Sequence, residues 1–107
     1  MMGLVSVGPR YPARMATLTT EQAREKLAGL PGWELGDKTI SRIFKFGDFA
    51  EAIAFVVRLG FAAETADHHP DIDIRYKRVT LTYSTHSEGG LTEKDFAGAE
   101  TATKLAG

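Results

Sequence analysis

Apolar residues recur with two different periods along this chain, and each change of period marks an element. Thr19, with Gln22 three residues later, has the capping-box pattern, which predicts a short helix over 20–28. Gly29 and the Pro31-Gly32 pair end it. Positions 33–35 read as a brief strand and Gly36-Asp37 as a turn. From 39 to 46 the chain alternates, with Ile40, Arg42, Phe44 and Phe46 on one face and Ser41, Ile43 and Lys45 on the other. Asp48 and Glu51 form another capping pair, and behind it Phe49, Ala52, Ile53, Val56, Leu59, Gly60 and Ala63 recur at helical spacing. This helix, over 49–66, is the longest and the main core element. Pro70 cannot continue it, so it ends near His68-His69.

Period two then returns. Ile72, Ile74 and Tyr76 alternate with Asp73, Arg75 and Lys77, and Val79, Leu81 and Tyr83 alternate with Thr80, Thr82 and Ser84. These are two half-buried strands with a tight connection near Lys77-Arg78, and Tyr76 is placed on the apolar face. Gly89-Gly90 breaks the chain, and Thr92 caps a last helix over 93–105 that carries Phe96, Ala99 and Thr103. The order α-β-β-α-β-β-α, with hairpin-joined strands, predicts an α+β domain: an antiparallel sheet covered on one face by helices.

Composition narrows the function classes. The 107 residues suffice for one domain, and 43% hydrophobic with 25% charged is an ordinary globular mix. Residues 1–14 hold two Pro and two Gly and show no period, so they are expected to be a flexible N-terminal extension, with the domain spanning 15–107. They do not have the order of charged and apolar residues that a secretory signal needs. Cys is absent, which excludes disulfides, thiolate metal sites and a Cys nucleophile. A net charge of −1 lacks the basic excess usual in nucleic-acid binders. No apolar run approaches the ~20 residues of a membrane span. A cytoplasmic protein is expected.

The chemistry then rests on three histidines, His68, His69 and His86, all at element ends. Imidazole is the side chain best suited to proton transfer near neutral pH. His86 shares the parity of Thr80, Thr82 and Ser84, which places it on the polar face of its strand. The plainer alternative is a helix-end charge partner and a surface residue. A three-His zinc site is a rival, but adjacent histidines rarely aim at one metal and no H-x-H or H-x-x-x-H pair occurs. Nearby acids are Glu64, Asp67, Asp71, Asp73 and Asp95. Glu64 lies four residues before His68, one helical turn away. Asp95 stands three residues after Thr92, where capping alone explains it. Trp33 is either core or the wall of a site for a flat heterocycle.

Taken together, Glu64, three residues, His68-His69-Pro70, five residues, Tyr76, nine residues, His86, eight residues and Asp95 resemble the signature of the pterin-4a-carbinolamine dehydratases. The stretch DHHPDIDIRYKRVTLTYSTHSEGGLTEKDFAGA matches in style, and the resemblance covers about 16–106, including Pro31-Gly32-Trp33. Ile72 and Ile74 stand where many relatives carry an aromatic and a polar residue, and Lys94 where Arg often precedes the acid. The resemblance implies an α+β fold with a four-stranded antiparallel sheet. It implies dehydration of 4a-hydroxytetrahydropterin to quinonoid dihydropterin, with no metal or organic cofactor. It implies a homodimer or homotetramer with sheets joined edge to edge, which suits a small open sheet. By the same resemblance His68 and His86 flank the C4a hydroxyl, His69 assists binding or proton exchange, Glu64 orients His68 or bonds the pterin, and Asp95 holds His86 or its loop. Asp67, Pro70 and Trp33 join the substrate-binding or orienting set. Some relatives are instead transcriptional coactivators or assembly chaperones, so a non-catalytic binding module is the alternative, and an oligomer with a vestigial site a third.

Overall fold

The structure, a computed structural model, describes residues 16–107. The expectation for 1–14, and its boundary at Met15, lie outside the described residues. Three helices and four strands follow in the order α1 (Thr20–Leu27), β1 (Glu34–Leu35), β2 (Ile40–Lys45), α2 (Phe49–Ala66), β3 (Asp71–Arg75), β4 (Arg78–Tyr83) and α3 (Glu93–Ala106). The strands make one antiparallel sheet in the order β1-β2-β4-β3. This is the α+β architecture that the periodicity predicts.

The caps explain where the helices begin. Thr19 and Gln22 bond reciprocally, side chain to backbone, at 3.1 and 2.9 Å. Asp48 accepts from the Glu51 N–H at 2.8 Å, while Glu51 reaches back to the N–H of Gly47 rather than of Asp48. The bonds to the Gln22 and Glu51 N–H groups satisfy donors that the first turn leaves open, and those to Thr19 and Gly47 tie down the residues that lead into it.

The sheet's inner face and the helices share one core. Ile40 and Phe44 of β2 and Val79, Leu81 and Tyr83 of β4 pack with Ala52, Phe55 and Leu59 of α2 and Ala99 and Ala102 of α3. The outer face carries Ser41, Thr80 and Thr82, with Ile43 exposed among them. α3 crosses the sheet closely at Gly98. A Cβ there would lie 2.5 Å from the Tyr83 ring, so only glycine fits.

Two expectations are corrected. Tyr76 is not on the apolar strand face: β3 stops at Arg75, and Tyr76 opens a two-residue turn at φ 53°, 66% exposed. Arg75 pairs with Arg78, so Tyr76 and Lys77 have no place in the ladder. His86 is not on a strand either. β4 ends at Tyr83, Thr85 bridges to Gly90, and His86 opens a single 3-10 turn, His86–Glu88, closed by Gly89 at φ 73°. Strand parity therefore says nothing about its direction.

Candidate active site

The end of α2 fixes the site. Asp67 takes the left-handed conformation, φ 52° and ψ 42°. Its N–H bonds the Glu64 carbonyl at 3.2 Å, and the His68 N–H bonds the Ala63 carbonyl at 3.1 Å. That pair of bonds is the Schellman closure of a helix. Asp tolerates positive φ better than most residues bearing a Cβ. The reversal sends His68 back against α2 and leaves His69 outside. Pro70, the residue before β3, is buried.

His68 meets a buried acid. Its Nε2 lies 2.6 Å from Asp95 Oδ1, with the side chains 12% and 0% exposed. Asp95 Oδ2 accepts from the Thr85 hydroxyl at 2.8 Å and from the Thr92 N–H at 2.9 Å. Thr85 Oγ1 also lies 2.8 Å from Thr92 Oγ1. Thr85 has one hydroxyl hydrogen and gives it to Asp95, so Thr92 donates to Thr85. A carboxylate only accepts, so the hydrogen-bond network assigns the hydrogen of this contact to His68 Nε2. Nδ1 makes no hydrogen bond to a described residue.

Asp95 thus serves α3 and His68 at once. It is the last member of a capping box with Thr92, as its spacing predicts, and the anchor of an imidazole. The family resemblance pairs it with His86 or its loop. The structure gives it His68, and reaches the His86 segment only through Thr85, the residue before His86.

The other two histidines are on the surface. His69 Nε2 bonds Glu64 Oε1 at 2.8 Å, with side chains 55% and 81% exposed. Glu64 therefore pairs with His69 and not with His68. His86 is exposed, with Nε2 3.3 Å from Ser84 Oγ. Asp67 contributes the backbone turn and is itself exposed. Trp33 takes the core alternative. It is 6% exposed, packs on Phe44 and Tyr83, and donates Nε1–H to Thr103 Oγ1 at 3.0 Å.

Sequence reasoning misses Thr85 and Tyr83. Tyr83 stacks on His68 with ring centroids 5.9 Å apart and planes at 20°. Burial, and then the charge of Asp95, push its phenol up to about 12. Beside these two rings lies a cavity of about 110 Å³ between α2 and α3. His68 and Tyr83 line it together with Ala62 and Ala66 of α2 and Ala97 and Gly98 of α3. The inward parity of Tyr83 is a signal for burial, but nothing in the spacing marks one Thr as buried. Among the described residues, no group of three His, Asp or Glu is placed to hold a metal ion.

The sequence profile of pterin 4 alpha carbinolamine dehydratase matches residues 16–105. The chain belongs to this dehydratase family. A protein of Chloroflexus aurantiacus, provisionally named pterin-4-alpha-carbinolamine dehydratase, is 50% identical over 93 residues, covering 87% of this chain and all of that one. Its counterpart in Mycobacteroides abscessus, with the same provisional name, is 52% identical over 87 residues, 81% of this chain and 93% of that one. Among solved structures of the dehydratase fold, the transcriptional coactivator/pterin dehydratase from Brucella melitensis is 40% identical with a TM-score of 0.83, covering 86% of this chain and 100% of that one. A pterin dehydratase-like RuBisCO assembly factor of the alpha-carboxysome is 26% identical with a TM-score of 0.59, covering 70% and 87%.

Proposed function

We propose that the protein dehydrates 4a-hydroxytetrahydropterins, such as 4a-hydroxytetrahydrobiopterin, to quinonoid dihydropterins by histidine general acid–base catalysis. One observation carries the reading: a buried carboxylate holds His68 by Nε2 and leaves Nδ1 open. An imidazole fixed in one tautomer and one direction is what a general base requires. In the reaction the N5 lone pair forms the C4a=N5 bond as the C4a–O bond breaks. His68 Nδ1 takes the proton from N5. His86 gives a proton to the departing hydroxide, which leaves as water. His69, paired with Glu64, binds or exchanges protons at the rim. Each such transfer contributes about 10²–10⁴-fold.

The same reading has the protein acting in the cytoplasm as a homodimer or homotetramer, without nucleic acid. The β1 and β3 edges have no partner strand among the described residues, which supports edge-to-edge assembly. No helix among the described residues is long and apolar enough to cross a membrane. A second reading, a binding module on the same fold, is favoured by the coactivator and assembly roles named for the two structural neighbours. The decay rate of a freshly generated 4a-carbinolamine decides between them. Acceleration by the wild type, lost in His68→Ala, supports the enzyme. A rate equal to buffer alone supports the binding module.

A further inference from the structure

Tyr83 presents a problem that the proposed chemistry does not use. It is 2% exposed, and its hydroxyl makes no hydrogen bond to any described residue. A buried hydroxyl without a partner is costly, and a phenylalanine would avoid the cost. One edge of the ring lies against Gly98: a Cβ on that residue would stand 2.5 Å from Tyr83 Cε1 and 2.7 Å from Cζ. Gly98 in turn lines the cavity between α2 and α3. Tyr83, whose hydroxyl is unpartnered among the described residues, itself lines this cavity beside His68. Its raised pKa keeps it protonated, and so a donor, through the physiological range.

The room comes from small side chains. Ala62, Ala63 and Ala66 on α2 face Ala97 and Gly98 on α3 across it. A cavity of about 150 Å³ holds a benzene, so one of about 110 Å³ suits roughly three to five heavy atoms. A pterin ring is too large for that. A short carbon chain on the ring is not. Lys94 and Thr101 of α3 also line it, so the cavity suits a chain that is mostly apolar and carries a hydroxyl.

We propose that this cavity is a substituent subsite, which takes a short hydroxylated carbon chain carried on C6 of the reduced pterin and bonds it through the Tyr83 hydroxyl. The proposal rests on the dehydratase reading, which brings C4a to His68. C6 is two bonds from C4a, through N5, so a chain on C6 starts within reach of a cavity that His68 itself walls. Tyr83 is then a specificity residue, not a catalytic one.

The test measures binding of two stable analogues, a 7,8-dihydropterin with a 1,2-dihydroxypropyl group at C6 and its 6-methyl counterpart, by fluorescence titration. Tyr83→Phe removes one hydrogen bond, so its Kd for the hydroxylated analogue should rise by about 3–10-fold, with the methyl analogue unchanged. Ala97→Leu, at an exposed lining position, fills the cavity while leaving Tyr83 in place and should give the same selective loss. Equal changes for both analogues, or none, in variants whose melting is unchanged would overturn the subsite and leave the dehydratase reading standing. Failure of the wild type to bind either analogue would overturn both.

Discussion

His68 and His69 are neighbours in the chain and opposites in environment. His68 is almost enclosed, and its acid is fully buried and shared with the cap of α3. His69 and its acid both stand in water. The two contacts have similar lengths, 2.6 and 2.8 Å, yet they do different work. An exposed pair contributes about 0–1 kcal/mol and reorients freely. A buried carboxylate with three donors fixes one ring in one tautomer. Proximity of an acid to a histidine therefore does not by itself fix a ring, whereas the number of other bonds that hold the acid does.

The contrast between the two rings is lost most severely at the proposed reacting carbon. His68→Ala and His86→Ala should each lower dehydration by about 10–10³-fold, and the double variant should retain only the uncatalysed rate. Near-normal activity in the double variant would mean that the site is elsewhere. Asp95→Asn isolates the tautomer. The amide can turn its oxygen to Thr85 and Thr92 and its NH₂ to His68, which keeps three bonds but moves the imidazole hydrogen to Nδ1. Activity should fall by about 10²–10⁴-fold while thermal unfolding shifts by only a few degrees, about 1 kcal/mol. A large loss of stability with full specific activity would refute the tautomer argument.

A third measurement concerns the neighbour of the buried ring. The Tyr83 pKa is raised from 10.0 to about 12, so the folded state holds that proton more tightly than the unfolded chain. Its contribution is complete below pH 10 and is lost as pH rises toward about 12. Tyr83→Phe should flatten the stability curve in that window alone, as read by urea titration at several pH values. The smallest effects belong to the exposed side. Glu64→Gln should change melting by less than about 0.5 kcal/mol and dehydration by only a few fold. Tyr76→Ala should likewise leave activity unaltered and stability within about 1 kcal/mol, since the ring it removes is exposed.

Much of the fold was legible because helix starts carry their own chemistry. Thr19, Asp48 and Thr92 each cap where the pattern places them. The pairing of acids with histidines was not legible, for a specific reason. Glu64 and His68 share a helical face only if the helix runs through His68, and it ends at Ala66. One residue at positive φ, Asp67, moves Glu64's partner from four residues away to five. Alternation failed in the same way at Tyr76, where a turn at positive φ took the residue out of the ladder. Asp95 offers a different lesson. Its presence alone does not favour an enzyme, because a non-catalytic relative would keep it to cap α3. His69 and His86, which have no comparable structural task, are the better markers of retained chemistry.

The Asp95 carboxylate ties together the loop after α2, the segment after β4 and the first turn of α3. His68 and Asp95 are separated by 27 positions, so no local stretch of chain can assemble the site during folding. It comes into being only when α3 docks. An intermediate with its helices formed but α3 undocked would have no fixed imidazole, and sub-global opening that releases α3 would switch the site off as one cooperative unit. Hydrogen exchange at the Thr92 amide, which Asp95 Oδ2 protects, would report that opening directly.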